Sequence, residues 1–170
     1  MIATDVYKPD EWHEFFLATA GAAAALAGLV FVALSIHADV LRNVTRRNRA
    51  TNMLTGFTAA FIISTLALMG GQDHQAVGTE WFVVATGTLV IYVYHYVQAA
   101  RRGSSKAQRR PDRLVVGVTS YFAQIVGAFV LILGYVAGLY LAAIGLIVTF
   151  AVLISGSWLL LVNVEVEEDR

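Results

Sequence analysis

Few side chains in this chain have chemistry to offer, and most of them are histidines, tyrosines, threonines and a glutamine. His13 and Glu14 lie near the N-terminus, and Asp73 and His74 stand together further along. Imidazole and carboxylate sets of this kind hold zinc or another divalent ion. Neither pair has ligand spacing on a regular element and no HExxH motif occurs, so no metal and no cofactor is expected, and the four read as solvated loop residues. A second set, Tyr92, His95 and Tyr96, shares one helical face by the i, i+3, i+4 rule. An imidazole between phenols can relay a proton or hold a ligand; at a membrane boundary the same three residues are ordinary interfacial side chains. The third candidate is Gln124, an amide inside a long apolar stretch. In hydrocarbon such a group needs a partner, and the expected ones are threonine hydroxyls of the second apolar segment or a symmetry mate. Thr55, Thr58, Tyr92, His95, Tyr96 and Gln124 together form a candidate polar pathway. No cysteine, no Walker motif and no nucleophile elbow is present, so thiol chemistry is excluded and an enzyme is not expected.

The elements that must position these residues follow from composition. Of 170 residues, 58% are hydrophobic and 14% charged, more apolar surface than a soluble domain of this length can hide. The pattern predicts an all-α transmembrane bundle and a single membrane domain, 1–170, with helices over about 15–36, 51–69, 81–98, 114–133 and 139–162. One long kinked segment in place of the last two would give four spans instead of five. Asp10 is placed to cap the first helix, with Trp12, Phe15 and Phe16 as an interfacial anchor; Trp81 marks another interface. Within these bounds no Asp, Glu, Lys or Arg lies inside a span, whereas pumps and secondary transporters usually keep one there.

Net charge is zero, yet ten of the twelve Lys and Arg residues fall in two segments, Arg42–Arg49 and Arg101–Arg113. Positive-inside topology accounts for both, places the N-terminus outside and the C-terminus in the cytoplasm, and makes nucleic-acid binding unnecessary. The same arginines suit anionic lipid headgroups. The N-terminus lacks a basic region and its apolar run is too long for a cleaved signal peptide.

Small residues recur in stripes. Gly21, Gly28 and Ser35 repeat every seventh position, with Ala24 between them; Gly56, Ala60 and Ser64 form a face of the second helix. Gly117, Ser120, Gln124, Gly127 and Gly134 mark the fourth, and Ala142, Gly145, Thr149 and Gly156 the fifth. Gly134 and Gly138 make a GxxxG that serves either as the turn between the last two helices or as packing surface. Without a hydrophobic drive between helices in lipid, close approach at small residues does much of the joining. The first helix, with the most condensed stripe, is expected at the centre of the bundle.

Trp12-His-Glu-Phe-Phe16, followed by Gly21-Ala-Ala-Ala-Ala-Leu-Ala-Gly28-Leu-Val-Phe-Val-Ala-Leu-Ser35, resembles the first helix of a family of small bacterial, often actinobacterial, membrane proteins. Their motif reads G-A-x-A-A-L-x-G-L-x-F-V-A-x-S, and the match covers the first quarter of the chain. The family has no established activity; some members are labelled modulators of the membrane-anchored protease FtsH. The resemblance implies a bacterial inner-membrane location and supplies no catalytic residues. Two functions are expected from these readings. One is a non-enzymatic protein that acts by helix packing with a membrane protein partner or as a homo-oligomer. The other is a homo-oligomeric channel or small-solute permease lined by Gln124 and the threonines.

Overall fold

A computed structural model describes residues 8–36, 44–101 and 111–168. They form five α-helices: α1 (Pro9–Ile36), α2 (Val44–Ala67), α3 (His74–Arg101), α4 (Pro111–Ile132) and α5 (Val136–Glu168). Each is long and apolar enough to cross a membrane. Arg42 and most of the second basic segment lie outside the described residues.

Most helices outrun the expected bounds, because polar and charged residues cap and extend apolar cores as good helix formers. α1 starts with Pro9 in its first turn, where the missing N–H costs nothing. Asp10 and Glu11 therefore lie inside the first turn and favour its positive end, instead of Asp10 acting as the cap. α2 begins before Arg46, Arg47 and Arg49, so these arginines belong to its first turns and not to a loop. At α3 the Asp73 carboxylate accepts the Ala76 N–H at 2.8 Å, an N-cap that moves the start forward to His74. Glu80 is thereby inside the helix, correcting its placement in a loop, and its carboxylate accepts from the Gln72 amide at 2.9 Å. α5 continues through Glu168, so Glu165, Glu167 and Glu168, beyond the expected end at 162, are helical.

α4 and α5 are separate helices joined by a tight turn. The Tyr135 N–H reaches back to the Val130 carbonyl (3.2 Å) and the Gly134 N–H to Leu131 (2.9 Å), the pairing of a Schellman motif. Gly134 supplies the required left-handed conformation at φ 87°. Gly138, one turn into α5, is packing surface: a Cβ there would meet the Leu131 backbone N, and the Gly127 carbonyl at 2.5 Å. The two glycines of the GxxxG thus divide the two roles.

The packing is a ring, α2 on α3, α3 on α4, α4 on α5 and α5 back on α2, with α1 laid chiefly against α2. The expectation of α1 at the centre is overturned. Half of the apolar window of α2 is buried, against 22% for α1, and α2 is also the least hydrophobic of the five. A helix surrounded by protein can carry more polarity than one facing lipid. α1 joins the ring at both halves: Val30 and Leu34 pack with Met53 and Phe57 of α2 and Leu153 of α5, and its first turns reach α3 and α5. There Phe16 is buried edge-on to Trp81 (5.8 Å), and Trp12 meets Tyr140 (4.9 Å). Phe16 is therefore a core residue and not an interfacial anchor, and Trp81, at 1% exposure, is one too.

The α4/α5 approach leaves no room for a side chain. Gly138→Val should lower the thermal midpoint in mild detergent by the equivalent of at least about 1–3 kcal/mol, since the obstructing atoms are backbone and cannot step aside. Gly134→Ala should cost about 1 kcal/mol through its φ alone. A Gly138→Val protein as stable as the parent would contradict the packing described.

Candidate functional site

Three of the buried polar side chains, joined by a tryptophan, converge between α3, α4 and α5. Trp81, Ser120, Gln124 and Thr149 are all buried, Gln124 to 1% exposure. The Trp81 indole N–H donates to the Gln124 amide oxygen (3.2 Å), and the Gln124 amide nitrogen donates to the Thr149 hydroxyl (2.8 Å). Thr149 in turn donates to the Gly145 carbonyl (2.9 Å), and its oxygen lies 3.2 Å from Ser120, whose hydroxyl donates to the Gly117 carbonyl (2.9 Å). Gly145 lets this happen: a Cβ there would meet Gln124 Cγ and the Ser120 carbonyl, both at 2.8 Å. Small residues on α5 thus bring the α4 backbone close enough for one amide to reach a tryptophan on α3 and a threonine on α5.

This corrects the expected partner of Gln124. It bonds to helices α3 and α5 of its own chain, not to a threonine of α2. An amide whose oxygen and nitrogen each bond a different helix, buried to 1% exposure, fixes three helices together.

The threonines of α2 lie elsewhere. Thr51, Thr55 and Thr58 line an open groove of about 450 Å³ between α2 and α3, walled on the other side by Val84, Gly87, Thr88 and Ile91. Gln124 does not line it. Two of its threonines bond within their own helices, Thr51 to the Arg47 carbonyl (3.0 Å) and Thr88 to that of Val84 (2.7 Å). Beyond the groove, toward the α2 start, Asn48 donates to Gln98 (3.3 Å), which donates to Tyr94 (3.2 Å). Tyr92 turns instead to α4, packing on Tyr121 (5.9 Å) and filling the space over Gly117. His95 keeps Nδ1 buried without a hydrogen-bond partner among the described residues. Of the candidate pathway, Gln124 belongs to the internal network, Thr55 and Thr58 to the groove and Tyr92 to the tyrosine contact, while His95 and Tyr96 are half-buried on α3 outside all three, so the six share no single lumen.

Of the expected packing residues, Gly117, Gly127, Gly138 and Gly145 touch neighbouring helices closely. Gly21, Ala24, Gly28 and Ser35 do not: all four are exposed, and nothing lies within 4 Å of a Cβ built on Gly21 or Gly28. Two contributors escaped the sequence reading. Gly78 on α3 packs so closely on α4 that a Cβ would meet Ile132 at 2.8 Å, yet it has no small neighbour three or four positions away to betray it. Trp81 looked interfacial because tryptophan favours that depth; its N–H, which must find an acceptor when buried, was the available signal. Asp73, considered as a ligand, is occupied as a helix cap.

Comparison with protein families, with curated proteins and with solved structures finds no match to this chain.

The network makes a quantitative demand. Gln124→Leu should destabilise the protein by about 1–2 kcal/mol, leaving the Trp81 N–H unpaired, and Thr149→Val by about 1 kcal/mol. The double variant should cost clearly less than the sum, because both remove the same bond. Unfolding in mixed micelles followed by tryptophan emission reads all three; strict additivity would dissolve the proposed coupling.

Proposed function

We propose that this multi-pass membrane protein is not an enzyme and acts by helix packing, as a partner or modulator of a larger complex in the bacterial inner membrane. The five apolar helices carry the membrane assignment. The observation that carries the functional reading is the outer face of α1. Gly21, Ala22, Ala24, Ala25 and Gly28 stand exposed on adjoining faces of its first half. Gly127 and Gly145, by contrast, are covered, lying against α5 and α4. A lipid tail gains nothing from a glycine-lined helix, whereas another helix does, because its backbone can come close. The larger exposed side chains Leu29, Phe31 and Val32 follow on the same helix and give a partner something to grip.

The resemblance of this helix to the small bacterial membrane family supports a membrane-embedded partner, and we take a membrane-anchored protease as its candidate class. The arginine-rich ends are read as cytoplasmic, with the N-terminus outside. A channel lined jointly by Gln124 and the threonines has less support, since Gln124 is enclosed between α3, α4 and α5 while the threonines face the α2/α3 groove.

Gly28→Leu should leave the thermal stability of the isolated protein unchanged and reduce recovery of a crosslinked partner at least tenfold; Leu29→Ala should have a smaller effect. A protein purified from native membranes as a partner-free monomer in mild detergent would count decisively against this reading. A reporter fused to the C-terminus should signal from the cytoplasm, and an external signal would invert the topology.

A further inference from the structure

Each helix that walls the α2/α3 groove carries an arginine beyond the lining, at the same end. Along α2 the lining residues Thr51, Thr55, Thr58 and Ile62 repeat at steps of four and three, and one step of four before Thr51 on the same stripe comes Arg47. Along α3, Gly87 and Ile91 continue through Tyr94 and Gln98 to Arg101 at the same spacing. Asn48 bonded to Gln98 shows that the start of α2 and the end of α3 lie side by side, so Arg47 and Arg101 flank the same end. Both are exposed. Asp10, Glu11, Glu14, Asp73 and Glu80 belong to the opposite end of the bundle, near the α1 and α3 starts, while Asp112 at the α4 start and Glu165, Glu167 and Glu168 at the α5 end share the arginines' end on other helices.

The dimensions fit one lipid leaflet. From Thr51 to Ile62 a helix rises about 16 Å at ~1.5 Å per residue, half of a hydrocarbon core roughly 30 Å thick. The floor of the groove is apolar: Leu54, Ala59, Val84 and Ile91 face it, Thr51 and Thr88 have their hydroxyls turned to their own backbones, and Gly87 adds depth because nothing lies within 4 Å of a Cβ there. Between this slot and the arginines lies a polar belt. It holds Asn48, Tyr94 and Gln98, with the half-buried His95 one turn past Ile91.

We infer that the groove seats one acyl chain of an anionic phospholipid, with its phosphate between Arg47 and Arg101 and its glycerol esters at the depth of His95. Each layer of the lipid meets matching chemistry: phosphate with guanidinium, which forms paired charge-assisted bonds, ester oxygens with the amide of Gln98 and the phenol of Tyr94, and hydrocarbon with the slot. The inference does not depend on the α1 reading, because it concerns a different face of the molecule.

The test uses the full chain in micelles offered phosphatidylglycerol or phosphatidylcholine with the same acyl chains, with retained lipid counted by native mass spectrometry. The parent protein should retain phosphatidylglycerol preferentially. Arg47→Gln and Arg101→Gln should each weaken that retention about fivefold, equivalent to about 1 kcal/mol per charge, without changing phosphatidylcholine. Gly87→Leu, which has room for its Cβ but fills the slot, should reduce both lipids; circular dichroism and size exclusion verify that each variant is folded. Equal retention of the two lipids by the parent, or full retention by Gly87→Leu, would overturn the assignment. So would displacement by free glycerol phosphate, which reduces the site to one for anions. Thr58→Cys in this cysteine-free chain provides the last arm. Disulfide-linked dimers at high yield in native membranes would give the groove to a second copy and also overturn it.

Discussion

The close approach of α4 and α5 sets the rest of the architecture. Gly127 of one helix and Gly138 of the other lie so near that backbone faces backbone, and Gly145 extends the contact toward Ser120 and Gln124. In a bilayer, dispersion contact and hydrogen bonds must hold helices together, and both fall away steeply with distance. A hairpin tied this closely becomes the rigid wall against which α3 packs, with Gly78 on one turn and Trp81 on the next. α2 then closes the ring by seating Gly56 against Leu153 and Tyr121.

The buried amide depends on that distance. Gln124 costs free energy in an apolar interior unless oxygen and nitrogen both find partners, and the two it finds come from different helices. The network is thus a register device: sliding α5 by one turn would separate Thr149 from Gln124 and move Gly145 away from the backbone it accommodates. Ser64, fully buried on α2 with no partner for its hydroxyl among the described residues, shows the contrasting case, a small polar group tolerated for its size.

What remains outside the ring is divided between two surfaces of different character. The first half of α1 offers a smooth patch of glycine and alanine, suited to another backbone. The α2/α3 groove offers a slot of about 450 Å³ with basic residues at one end, suited to a flexible chain carrying a negative head. Neither surface is needed to hold the protomer together, since the ring closes through α2 and α5. Their shapes answer to what lies beyond the chain: a helix in one case, a lipid in the other.

Five spans, their order and the segregation of arginine were legible in the sequence, because the bilayer imposes a length and an apolarity that a helix cannot disguise. The stripes on the last two helices were legible too, since spacing of three and four places residues on one face whatever surrounds it. Direction was not legible. Gly21 and Gly28 repeat as regularly as Gly138 and Gly145, yet the first pair faces outward and the second inward, and in lipid both sides of a helix are apolar, so hydropathy does not say which is which. Helix ends drifted for a related reason: Arg46, Glu80 and Glu165 read as loop because they are charged, though a charged residue extends a helix as readily as it leaves one. Only the tertiary structure paired Gln124 with Trp81 and Thr149, 43 and 25 positions away. Such a bond is decided by which helix faces meet, a property of the packed ring and of no single helix.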